Sequence, residues 1–139
     1  MLRLIIRMDR EISTIYLVKA QECLVGATSE LANRRFNNCA NRCYYAVFQA
    51  AIAVLLREGI QSSREDAWTH SFVQSQFAGT LIHRRKLYPT SLRDTLAQNL
   101  MVRQRADYED QYITEVQAQR ALRRAREFLD ALYQRGGET

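Results

Sequence analysis

Apolar residues recur along most of this chain at three- and four-residue steps, divided by charged and amide side chains, and that spacing predicts helices. The first helix is expected from near Ser13 to Asn33, where Ile12, Tyr16, Ala20, Cys23, Ala27 and Leu31 form one apolar stripe. After Arg34-Arg35-Phe36, the pair Asn37-Asn38 offers an N-cap for a second helix from Cys39 to about Glu58, which Gly59 stops. Between Cys43 and Leu56 this helix is apolar on nearly every side, so it belongs at the centre of a bundle or across a subunit interface.

Gln61 to Asp66 reads as a loop. A third helix is expected from about Trp68 to Ile82, burying Phe72, Val73, Phe77 and Leu81, and ending in the cationic turn from His83 to Pro89. Ser91 is placed to cap a fourth helix, with Asp94 in its first turn and Leu92, Leu96 and Leu100 on one face. The last helix starts at Thr114, with Gln117 completing a capping box. Its stripe of Ala118, Leu122, Ala125, Leu129 and Leu132 leaves Arg120, Arg123, Arg124 and Glu127 exposed, and Gly136-Gly137 frees the tail. The expectation is an all-α, up-and-down bundle of about five helices. Residues 1–10 form an N-terminal extension, 11–135 the helical domain and 136–139 a flexible tail.

The 139 residues suit a single domain, and the scarcity of Gly and Pro fits the helical reading. No run approaches the roughly 20 apolar residues of a membrane span, and Met1 to Arg7 lacks the form of a secretory signal, so no membrane association and a cytoplasmic address are expected. Three cysteines, an odd number, read as free thiols. Cys39 and Cys43 have the spacing of two metal ligands, but with only His70 and His83 to complete a site they read better as small buried residues. No metal or other cofactor is expected.

The net charge of +5 is concentrated. Arg84, Arg85, Lys86, Arg93, Arg103 and Arg105 stand against Asp94 alone in one stretch, an excess equal to that of the whole chain and suited to phosphate. Continuing the fourth helix's leucine stripe by three arrives at Arg103, where a core residue is due. Because a guanidinium cannot shed its proton, it must find an acid such as Asp107 or Asp110, a phosphate, or an opening at an interface. Beyond it lie Tyr108, Glu109, Asp110 and Tyr112, a polar and aromatic cluster.

At these residues the chain resembles the HEPN domain family. Arg42-Cys-Tyr44-Tyr45-Ala46-Val-Phe48 is similar to the family's Arg-x-Tyr-Tyr-Ala-x-Phe signature. Thr69-His70-Ser71 matches the opening of its third helix, and Arg103-Gln-Arg-Ala106-Asp107-Tyr108 its Arg-x-x-Ala-Asp-Tyr segment. The likeness covers roughly Glu11 to Leu132.

The resemblance implies a homodimer in which arginines of two subunits converge on a shared cleft. It also implies kinship with metal-independent RNases, often toxins paired with a nucleotidyltransferase antitoxin. Arg103 takes the place of the family's active arginine and Tyr108 that of its tyrosine, but the histidine window holds Tyr108, Glu109 and Asp110. Metal-free RNA cleavage needs a base, an acid and a cation, and arginine supplies only the last. A carboxylate such as Asp110 is a weak base at neutral pH, which puts nuclease activity in question.

The candidate catalytic residues are thus Arg103, Tyr108 and Asp110. Arg42, His70, Arg103 and Arg105 are the candidates for binding RNA or a nucleotide, and Tyr108 is the hydroxyl for a partner nucleotidyltransferase to modify. A non-catalytic scaffold that binds a nucleotide or a protein is the alternative.

Overall fold

The computed structural model describes residues 1–62, 68–108 and 110–137. Within them the chain is all-α with no strand: α1 (Leu2–Ala32), α2 (Phe36–Arg57), α3 (His70–Ser75) running into a π-helical stretch (Gln76–Arg84), a 3-10 turn (Thr90–Leu92), α4 (Thr95–Tyr108) and α5 (Glu115–Gly137). The expected loop lies partly outside the described residues, which omit positions 63–67, and so does Glu109.

Helix α2 is the axis of the bundle and packs against α1, α3, α4 and α5. Its residues Ala50 to Leu56 are buried without a break, as a helix apolar on all sides requires. By length and composition α2 alone among the described helices could cross a membrane, against the expectation that no segment approaches that limit. However, 72% of its apolar window is buried inside the bundle, where it serves as the core.

Gly59 ends α2 at φ 82°, with the Gly59 N–H donating to Leu56 O at 3.0 Å and the Ile60 N–H to Leu55 O at 2.8 Å. The same pair of bonds closes α1, from Arg34 to Leu31 O and from Arg35 to Glu30 O, but here Arg34 takes the left-handed φ of 60°. At the start of α5 the capping box forms as expected. Thr114 N–H donates to Gln117 Oε1 at 2.9 Å and Gln117 N–H to Thr114 Oγ1 at 3.2 Å.

Several boundaries differ from expectation. Helix α1 begins at Leu2 instead of Ser13, and Ile12 turns outward while Ser13 is buried and donates to Ala53 O at 2.7 Å. Helix α2 begins at Phe36 with Arg35, which has no side-chain acceptor, at its N-cap, and Asn37 inside the helix accepts from the Ile113 N–H instead of capping. Thr69 caps α3 by accepting from the Phe72 N–H. Ser91 lies within the 3-10 turn, with α4 starting only at Thr95, and α5 continues through the glycine pair to Gly137.

Candidate functional site

The site forms where the end of α4 passes the first turns of α2. Tyr44 and Tyr45 lie on the same side of α2 and pack edge to face, ring centroids 5.1 Å apart. The Arg103 guanidinium rests over both rings, 5.2 Å from Tyr44 and 5.3 Å from Tyr45. One turn on, Asp107 pairs with it, Nε to Oδ2 at 3.3 Å, and also accepts from Asn41 Nδ2 at 3.2 Å.

The charge therefore has a carboxylate partner, as spacing along one helix predicts. The partnership is incomplete. Arg103 Nε meets Asp107 too far off axis for a hydrogen bond and has no acceptor among the described residues, while 19% of the side chain stays open to solvent. Arg105 is similar: its terminal nitrogen donates to Gln111 Oε1, but its buried Nε has no acceptor among the described residues.

His70, distant in sequence, reaches this cluster from the start of α3. Its Nδ1 lies 3.5 Å from the Tyr44 hydroxyl and its ring is tilted against that of Tyr44, with centroids 6.1 Å apart. Burial pushes the imidazole below its usual value, so the neutral form is favoured. Burial also pushes the Tyr44 hydroxyl up to about 12, opposed by the charge of Arg103 and assisted by Tyr45. His70, Tyr44, Arg103 and Asp107 are thus contiguous.

The remaining candidates lie apart. Arg42 sits roughly a third of a turn round α2, its stem 3.8 Å from where a Cβ on Gly26 of α1 would be. Tyr108 is 75% exposed at the end of α4, and Asp110 is exposed beyond it with no ion pair among the described residues. The basic stretch is also dispersed: Arg85 lies 4.0 Å from Glu58 and Arg93 3.4 Å from Asp94. The length of α4 separates them from Arg103 and Arg105.

One buried polar group escaped the sequence reading. Asn99, fully buried, donates to Ala121 O at 3.3 Å and Cys43 O at 3.5 Å, and its Oδ1 accepts from Arg124 Nε at 2.9 Å. Arg124, expected in solvent, is half-buried across the α4–α5 seam. The signal was an asparagine beside the leucine stripe with no turn to explain it. His83 is exposed, and Cys39 and Cys43 are buried with their sulfurs 3.9 Å apart. The hydrogen bond between these thiols, together with burial, pushes Cys43 up. No cluster of three or more His, Cys, Asp or Glu occurs among the described residues.

The family model of the HEPN domain matches residues 14–135. The chain is also similar to the UPF0332 protein of Thermotoga maritima, 36% identical over 61 residues, or 41% of this chain and 46% of the relative. The match spans about half of that relative's length.

Proposed function

The chain belongs to the HEPN domain family, and from that premise we propose that it binds RNA as a member of a toxin–antitoxin or related defence pair, with Arg103 as its phosphate anchor. The observation carrying this reading is a guanidinium held over two tyrosine rings and still partly open to solvent. Tyrosine packing fixes its orientation, and the part of the side chain left open to solvent is where a phosphate oxygen would bind. Arg105, partly exposed two residues on, adds a second cation. The exposed rings of Tyr108 and Tyr112 supply faces on which unpaired bases can stack.

Two copies of the chain placing their Arg103 side chains in a common cleft would double this charge. A nucleotidyltransferase is the partner that fits the family, and the open hydroxyl of Tyr108 is the group it would modify.

The test is binding of single-stranded RNA by wild type and Arg103→Ala across a salt series. Loss of one phosphate contact should weaken binding about tenfold and lower the salt slope by about 1. Equal binding by both removes the RNA reading and leaves a helical scaffold for a protein partner.

A second reading rests on His70. A neutral imidazole packed against Tyr44, whose ring also carries the Arg103 guanidinium, is suited to take the ribose 2′-hydroxyl proton while the guanidinium stabilises the phosphorane and water protonates the leaving 5′-oxygen. Cleavage in EDTA by wild type and its loss in both His70→Ala and Arg103→Ala would establish it. Intact RNA with wild type ends this second reading without touching the first.

A further inference from the structure

A cavity of about 510 Å³ opens where the C-terminal ends of α2 and α5 pass α1. Each of the three helices contributes a guanidinium to it: Arg10 from α1, Arg57 from the last turn of α2 and Arg135 from α5. None of the three has an ion pair among the described residues. Glu58 also lines the cavity, but it lies 4.0 Å from Arg85. Two of the cations are held from behind by the buried Tyr88. Arg57 Nη2 donates to its hydroxyl at 3.1 Å, and the Arg135 guanidinium lies 5.8 Å over its ring. Burial pushes that hydroxyl up, so the tyrosine stays neutral and both arginines keep their full charge.

The other polar groups of the lining accept hydrogen bonds. Ser13 Oγ donates its proton to Ala53 O at 2.7 Å and Thr14 Oγ1 donates to Arg10 O at 3.0 Å, so each hydroxyl offers lone pairs alone to the cavity. The Glu58 carboxylate is a third acceptor. Leu17 is apolar, and none of the described lining residues is aromatic. Cations thus share one enclosure with acceptors, a combination that a bare anion does not use.

We infer that this cavity binds a small sugar phosphate. The phosphate dianion is met by the three guanidiniums, and the sugar hydroxyls donate to Ser13, Thr14 and Glu58. The volume is that of a small-molecule site. With no ring to stack against, a nucleobase would gain nothing here. The site goes beyond the RNA reading and is separate from it, since α2 rises about 18 Å between Tyr45, under Arg103, and Arg57.

Titration calorimetry on the full chain tests it with ribose 5-phosphate, glucose 6-phosphate, inorganic phosphate and AMP. At least one of the two sugar phosphates should bind about tenfold tighter than inorganic phosphate. If neither does, the cavity holds anions without regard to the sugar and the proposal is overturned. Arg135→Gln and Arg10→Gln should each weaken sugar phosphate binding about tenfold, with far-UV circular dichroism intact. Thr14→Val should weaken it about threefold and leave inorganic phosphate unaffected. Unaltered binding in all three variants overturns the proposal. So does AMP binding tenfold tighter than ribose 5-phosphate, which would make this a nucleotide site. Arg103→Ala should leave sugar phosphate binding unchanged, which keeps the result independent of the RNA reading. Loss of single-stranded RNA binding in Arg135→Gln equal to that in Arg103→Ala would instead make the cavity part of the RNA surface and overturn the inference.

Discussion

Arg124 and Arg103 both bring a guanidinium to the surroundings of the central helix, and their fates differ. Arg124 donates Nε to an asparagine that is itself fixed to backbone carbonyls of α2 and α5. Burial costs it, lowering its proton affinity, but the hydrogen bond is short and well formed. Arg103 meets a carboxylate off axis, and its Nε has no acceptor among the described residues. A satisfied buried polar group specifies packing, whereas a buried donor left without an acceptor is a cost the fold does not recover. One arginine is tied into the fold, and the other is the phosphate anchor of the proposed function.

Asn99→Leu should have the largest effect on stability, because it strands the Arg124 Nε. A loss of about 2–3 kcal/mol in urea unfolding is expected, partly recovered in the double variant with Arg124→Met. Arg103→Ala should cost less than about 1 kcal/mol, since its pair and ring contacts are partly open to water. If the two substitutions destabilise equally, the contrast fails.

His70 sharpens the contrast through pH. Its folded-state pKa lies below the unfolded value of about 6.5, so the unfolded chain binds more protons between the two values. Stability should be complete above about pH 6.5 and fall as acidification carries the solution through that window. The fall should disappear in His70→Gln, as urea midpoints at pH 7.5 and pH 5 would show.

What sequence could convey was what neighbours along one helix decide. The Thr114–Gln117 box, the stop at Gly59, the stripe of α5 and the Arg103–Asp107 pair are all local, and all form. The misses required knowledge of what lies across the bundle. Asn37 looked like a cap but binds the distant Ile113 N–H, Arg124 looked exposed but finds Asn99, and π-helical turns interrupt a stripe that an ordinary helix also satisfies. His70 joins the site through Tyr44, a contact no spacing announces.

The smallest effect is expected at Arg34, whose left-handed backbone strains a residue bearing a Cβ. Arg34→Gly should stabilise by up to about 1 kcal/mol despite losing the exposed pair with Glu115, whereas Arg34→Ala should not. Thermal melts of both variants distinguish strain from charge.

The two sulfhydryls enclosed between α2 and α5 give the molecule a clock of its own. A colourimetric thiol reagent cannot reach them until those helices part, so the slow phase of its reaction counts openings of the central core. The half-buried Cys23 reacts in the foreground and marks time zero.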